Sequence, residues 1–233
     1  NNITLGRGGS KIKGLCTCAT LKTDRVGVRI VYSGSSQGWV TATSANETAP
    51  VMDQTLYVTA TGGTVTTSGD FKIHTFTSSD NFVVSCAGTP SGSDTVSYLV
   101  IAGGGGGGGG NGNCGGTGGG GGAGGYREGK ASYDSYTASP IAATTGLPVP
   151  AQTYPITIGA GGAAGPYSAP GSVGNNTIFS SITSAGGGLA AGGVQGGPSI
   201  DGGNGGSGGG GTDNTGPLGG HTDGGSGNTP PVS

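Results

Sequence analysis

An all-β protein with almost no α-helix, in which glycine segments are inserted between strands, is predicted by three features of this 233-residue chain. Short runs rich in Val, Ile, Thr and Tyr alternate with clusters of Gly, Ser and Asn, the pattern of consecutive strands, and no window carries a 3.6-residue apolar period. An unbroken run of eight glycines follows directly on the strand-like stretch Tyr98-Leu-Val-Ile-Ala102, and 18 of the 23 residues from 103 to 125 are glycine. A strand-like stretch followed by a small-residue run recurs three times, beginning at Tyr98, Tyr154 and Thr177, so the glycine lies between strands rather than after them.

Composition narrows how such a chain can be ordered. With 31% hydrophobic, 9% charged and 6% aromatic residues, a conventional core can serve only part of it. Glycine and proline together supply 71 of the 233 residues, a level typical of collagen or low-complexity chains. Collagen needs glycine at every third position, which the run from 103 to 110 does not keep. Disordered chains combine low hydrophobicity with high net charge, and here the formal charge is only −2. A lattice of backbone against backbone is the remaining way to order the glycines.

The strands are expected, in order, near 2–5, 11–17, 25–32, 39–43, 55–60, 71–77, 81–86 and 95–102, then at 125–128, 154–158 and 177–183. The stretch Val26-Gly-Val-Arg-Ile-Val-Tyr32, the polar Ser33-Gly-Ser-Ser-Gln-Gly38 and the returning Trp39-Val40 read as a hairpin. Trp39, the only tryptophan, is read as a core or interface anchor, the commonest use of an indole. On Phe71-Lys-Ile-His-Thr-Phe-Thr77 the alternation puts Phe71, Ile73 and Thr75 on one face and Lys72, His74 and Phe76 on the other, and His74 is expected at a surface or interface. Residues 132–150, rich in Ser, Tyr, Ala and Pro, are expected to form no regular element.

Glycine lacks a Cβ, so extended chains of it approach closely. It readily forms the left-handed helix of three residues per turn, about 3.1 Å per residue, that has no internal hydrogen bonds. Its N–H and C=O groups must then bond to neighbouring helices. Gly103, Gly104, Gly105, Gly106, Gly107, Gly108, Gly109 and Gly110 are accordingly assigned a structural role as the first of these helices. Residues 103–125 have length for two passes and 185–225 for two or three more, with Asn111, Asn204, Asn214 and Pro217 as turn residues.

Chemistry is in short supply. No helix follows a glycine fingerprint to aim its N-terminus at a phosphate, and no Gly-Lys-Ser/Thr motif occurs. Calcium-binding nonapeptides are missing, which leaves Asp201, Asp213 and Asp223 as solvated turn residues. Histidines number two, His74 and His221, and glutamates two, Glu47 and Glu128, none in a catalytic motif. The four cysteines lack paired CxxC spacing and are read as buried free thiols. Nine basic residues make no nucleic-acid footprint, and no stretch approaches the ~20 apolar residues of a membrane-spanning helix. The expectation is a protein that is not an enzyme, with no cofactor, no metal, no nucleic-acid partner and no membrane insertion. The chain begins at Asn1 and ends on Gly227-Asn-Thr-Pro-Pro-Val-Ser233, which reads as a linker within a longer protein. Any binding surface is expected on the irregular 132–150 segment and on turns between glycine helices, since loops on a rigid scaffold carry recognition. Tyr133, Tyr136 and Tyr167 are the candidate receptor contacts by ring stacking, or else caps on the ends of the glycine slab.

Two sets of segments carry a resemblance. Asp70-Phe-Lys-Ile-His-Thr-Phe-Thr77, Asn81-Phe-Val-Val84, Val96-Ser-Tyr-Leu-Val-Ile-Ala-Gly-Gly-Gly105, Gly121-Gly-Ala-Gly-Gly-Tyr-Arg-Glu128, Tyr154-Pro-Ile-Thr-Ile-Gly-Ala-Gly-Gly162 and Ser184-Ala-Gly-Gly-Gly188 together resemble the glycine-rich domain of bacteriophage tail-fibre proteins, especially of marine phages and cyanophages. Asn1-Asn-Ile-Thr-Leu5 through Gly14, with Val28-Arg-Ile-Val-Tyr32 and Gly38-Trp-Val40, is similar to a small β-module that recurs upstream in such fibres, here truncated at its start. The resemblance implies a small β-module at 1–50, a jelly-roll-like β-sandwich at 51–183 with the glycine insert at 103–125, and a polyglycine II segment and linker at 184–233. It implies a virion structural protein, a homotrimeric tail-fibre or adhesin segment that joins other tail proteins and attaches to a host surface receptor, a carbohydrate or an outer-membrane protein. A secreted glycine-rich ice-binding or matrix protein, using the flat polyglycine face directly, is the alternative from another class.

Overall fold

In the computed structural model the described residues are 3–5, 8, 10, 12, 19–21, 28–44, 57–89, 92–110, 117–193, 200–212 and 222–228. They contain strands and no helix. The strands are β1 (Ile3–Leu5), β2 (Ala19–Leu21), β3 (Val28–Tyr32), β4 (Trp39–Ser44), β5 (Val58–Thr61), β6 (Thr64–Ser68), β7 (Phe71–Thr75), β8 (Asp80–Ala87), β9 (Thr95–Val96), β10 (Tyr98–Ile101), β11 (Tyr126–Gly129), β12 (Leu147–Pro148), β13 (Thr153–Thr157), β14 (Thr177–Phe179) and β15 (Ile182–Ser184). The chain divides into two compact units, one of Asn1–Thr61, Val83–Val96 and Pro148–Gln152, the other of Gly62–Phe82, Ser97–Leu147 and Thr153–Ser233.

In the first unit β1 pairs antiparallel with β2, and β3 with β4 in the expected hairpin, Tyr32 opposite Trp39. Strand β5 pairs antiparallel with β8, with a register shift between Thr59 and Ala60. Gly88 takes a φ of +71°, and the place of its Cβ lies 1.9 Å from the Ser93 carbonyl oxygen, so only glycine fits there. Cys86 is buried and free, as read from its small neighbours; Cys16, Cys18 and Cys114 lie outside the described residues. Of the strand expected at 11–17 only Ile12 is described, buried and bridged to Trp39.

The second unit gathers its rings around Phe82, which is 6% exposed. Its ring meets His74 at 5.2 Å, Phe179 at 5.9 Å and Phe76 at 6.3 Å between centroids, each edge to face, and Tyr154 at 6.4 Å, tilted. Edge-to-face pairs add about 0.5–1.5 kcal/mol each beyond buried area. His74, expected at a surface or interface, is drawn inward to this cluster. It is half-buried against Phe82, and its Nδ1 lies 2.9 Å from the Gly62 carbonyl oxygen. The alternation on β7 is as expected, but the inward face is that of His74 and Phe76, while Phe71 and Ile73 are exposed.

Three other elements depart from the sequence reading. Strand β6, Thr-Val-Thr-Thr-Ser, is exposed throughout, so it has no inward face to generate a period of two. The single strand expected at 177–183 is the hairpin β14–β15, reversed at Ser180 with a φ of 55°. The segment at 132–150 holds the two-residue β12.

Glycine helices make up much of what else is described of the second unit. Among the described residues eight segments lie side by side: g1 (102–110), g2 (117–125), g3 (159–167), g4 (169–176), g5 (185–193), g6 (200–206), g7 (207–212) and g8 (222–228). Hydrogen bonds leave g1 with a period of three, as a three-residue helix requires. The N–H groups of Ala102, Gly105 and Gly108 donate to Gly125, Gly122 and Gly119 of g2 at 3.0, 2.7 and 3.0 Å. Those of Gly103, Gly106 and Gly109 donate to Asn175, Ser172 and Ala169 of g4. The carbonyls of Gly103, Gly106 and Gly109 accept from Gly187, Ala190 and Gly193 of g5, and those of Gly104 and Gly107 from Gly162 and Gly165 of g3. Antiparallel g2 and g4 and parallel g3 and g5 thus flank g1.

The neighbours also bond to one another, g3 to g4, g4 to g5, g5 to g2 and to g7, and g7 to g2. Four consecutive neighbours in a hexagonal arrangement span half a circle, so g3, g1 and g2 form one row, g4, g5 and g7 a second. Segments g6 and g8 bond to g5, g7 and each other and form a third. Residues 103–125 supply two passes, as expected, but 185–228 supply four and 159–176 two that the glycine count did not announce. Of the expected turn residues Asn204 is described, at the g6 to g7 crossing, where its Oδ1 accepts from the Ser226 N–H at 2.7 Å. Asn111, Asn214 and Pro217 lie outside the described residues.

Candidate functional site

Strand β10 leads into g1 and g2 leads into β11, so the bundle has a strand end and a turn end. At the strand end Tyr98 pairs with Gly129. A Cβ on Gly129 would stand 2.3 Å from the Tyr98 ring, so glycine lets that ring lie across its partner. From there the chain leaves β11 into the irregular segment, and two polar anchors pin it. The Ser97 hydroxyl donates to Asp134 Oδ2 and accepts from the Ala131 N–H at 2.8 Å. The other anchor is Glu128, 9% exposed. Its Oε2 accepts from the Tyr126 hydroxyl at 2.8 Å and from the Ser139 N–H at 3.0 Å, while its backbone carbonyl accepts from Ala143 N–H at 2.8 Å.

These bonds set the local electrostatics. The Tyr126 hydroxyl, then the Ser139 amide, hold the Glu128 carboxyl below its usual range, since donors to a carboxylate favour the ionised form; the Tyr136 hydroxyl and Lys130 add to this. The Tyr126 phenol is raised by the same bond, and that of Tyr136 by burial and then by Glu128. Lys130 Nζ stands 5.3 Å over the Tyr136 ring, a cation–π contact.

Glu128 therefore ties strand to loop. A carboxyl with a lowered folded pKa contributes in full above its ordinary value and loses that contribution as the pH falls through the lowered one. Glu128→Gln is expected to hasten limited proteolysis within residues 130–147 at neutral pH. Wild type should converge on the variant only as the pH drops below about 4, under the ordinary carboxyl range; equal cleavage at neutral pH would remove this role.

The three candidate tyrosines do not form one site. Tyr133 and Tyr136, both exposed, lie on the anchored segment at the strand end. Tyr167, 64% exposed, sits in the g3–g4 turn, where Ser168 takes a φ of 57° and its N–H reaches the Gly110 carbonyl at 3.4 Å. Twelve residues separate Tyr98 from Gly110, so the two ends stand roughly 35–40 Å apart at about 3.1–3.3 Å per residue. Trp39 belongs to the other unit; it is 37% exposed and meets Tyr32 edge to face at 5.4 Å, so it is a surface ring rather than a core one. Sequence reasoning passed over Glu128, Ser97 and Asp134. The signal for the first was Tyr126 two residues earlier, on the same face of one strand.

A protein-family model described as a glycine-rich domain matches residues 77–231. No curated protein and no solved structure matches the chain.

Proposed function

We propose that this chain, which belongs to the glycine-rich domain family, is a virion structural protein, a segment of a phage tail fibre or adhesin that serves host attachment. The observation that supports this most is the three-row bundle of glycine helices with tyrosine-bearing segments at both ends. Such a bundle is a stiff spacer with little side-chain chemistry. Its ends are where a rigid scaffold presents loops for recognition, and Tyr133, Tyr136 and Tyr167 are the contacts proposed there, for a carbohydrate or protein receptor on the host. The protein is proposed to act in three copies, alongside other tail proteins. Electron micrographs of the purified protein should show fibres or spikes, and globular monomers would sink the reading.

A second reading is favoured by the flatness of the outer row. There g3, g1 and g2 offer a plane of Gly, Ala and one Thr, with Pro166 and Tyr167 at the turn end of g3, suited to a secreted protein that binds ice or matrix directly. Thermal hysteresis in solution is its expected mark, and absence of hysteresis removes the ice-binding form.

A further inference from the structure

The open side of the row g3–g1–g2 has donors with no lattice partner. A three-residue helix sends its N–H groups in three directions about 120° apart. In g1 one set goes to g2 and another to g4; the third, that of Gly104 and Gly107, has no partner among the described residues. Since g2, g5, g4 and g3 occupy the lower half of the circle around g1, this third direction points outward. The carbonyls of Gly105 and Gly108 likewise receive no N–H among the described residues. They lie 2.1 and 2.0 Å from where a Cβ would stand on Gly121 and Gly118, the geometry of a weak Cα–H contact.

The same side is flat and nearly bare of side chains. A Cβ would have room at Gly104, Gly107, Gly120 and Gly161, with nothing nearer than 3.6 Å. The plane continues along β10 alone: Val100 is buried and its strand packs on β14 and β15, which lead from g4 and into g5, so Leu99 and Ile101 face the opposite way, while beside them on β11 Glu128 and Tyr126 lie under the anchored segment. Both are 56% exposed. At about 3.2 Å per residue over 99–110, and about 5 Å between helices, the plane covers about 500 Å².

We infer that this plane is an interface between two copies of the chain, packed face to face. Another glycine-helix row is the partner that matches a three-residue period of donors and acceptors. The lattice accepts it in either sense, because g1 already bonds to parallel and antiparallel neighbours. No charged side chain stands on g1, g2 or g3, so like copies meet no repulsion there. The contact is isologous and joins copies in pairs; among three-copy fibres it would link one fibre to the next. About 1,000 Å² in all is the lower bound of specific interfaces, so association should be reversible in solution and stronger between tethered copies.

Sedimentation of the full chain tests this. The mass of the smallest species should double reversibly as concentration rises towards about 1 mM. Gly107→Leu and Gly120→Lys, both at positions with room for a side chain, should each weaken pairing at least about tenfold. Gly224→Lys on g8 should not, its Cβ place being exposed and no nearer than 3.4 Å to a neighbour. Unfolding midpoints identify any variant that fails to fold, and Gly120→Lys decides if Gly107→Leu does. No doubling up to that concentration, or equal pairing in Gly120→Lys and wild type, overturns the inference. It does not rest on the virion reading: paired monomers without fibres would keep it and sink the other.

Discussion

Gly106→Ala is expected to unfold the glycine bundle. The added Cβ would stand 1.9 Å from the Ala163 carbonyl oxygen and 2.5 Å from its carbon, a wall of backbone that cannot rotate aside as a side chain can. Relief requires g1 and g3 to separate, and that breaks the bonds from Gly162 and Gly165 to Gly104 and Gly107. Overpacking a core costs typically about 1–3 kcal/mol where side chains can yield, so a rigid clash in the central helix should cost at least about 3 kcal/mol. Gly120→Ala is the matching control. Nothing lies within 4 Å of its Cβ place and its φ lies outside the left-handed range, so the change should stabilise by about 0.4–1 kcal/mol by restricting the unfolded chain. Denaturant unfolding of the two variants reads both signs, and equal behaviour would refute the lattice.

Phe82→Ala is the second large effect. Four rings converge on Phe82, and its truncation leaves a cavity that a set of edge-to-face contacts cannot close. Phenylalanine to alanine in a core costs about 3–5 kcal/mol. Phe71→Ala on the outer side of β7, where the ring is exposed, should shift stability by no more than about 0.5 kcal/mol. The difference between the two phenylalanines, measured by thermal unfolding, tests which face of β7 is inward.

Much of this architecture was legible in the sequence. Runs such as Val28–Tyr32 and Tyr98–Ile101 became strands because β-branched and aromatic side chains fit a half-buried pleat, and the absence of a 3.6-residue period became the absence of helix among the described residues. Strand β6 was not legible, because a strand exposed on both faces leaves no alternation to read. The hairpin at Ser180 was hidden as well: Phe-Ser-Ser-Ile continues a plausible strand, and the reversal depends on a left-handed serine that local composition does not announce. Of the candidate site, the tyrosines and the irregular segment could be picked out as exposed loop rings. That they sit at opposite ends, and that Glu128 fastens one end, could not, since Tyr126 announces only a partner on the same strand and the fastening comes from Ser139 and Tyr136 folding back over β11.

The glycine run itself divides the two kinds of information. Sequence alone pointed to residues 103–110 as an extended backbone helix without internal bonds, because eight residues without side chains can be ordered only through their backbone. It could not determine which of those glycines are indispensable. Gly106 and Gly107 are identical neighbours in the chain, yet one faces a carbonyl at 1.9 Å and the other has nothing closer than 3.7 Å. That distinction belongs to the tertiary structure. Successive residues of a three-fold helix point 120° apart, and only the positions of g2, g3, g4 and g5 decide which direction meets backbone and which meets open space.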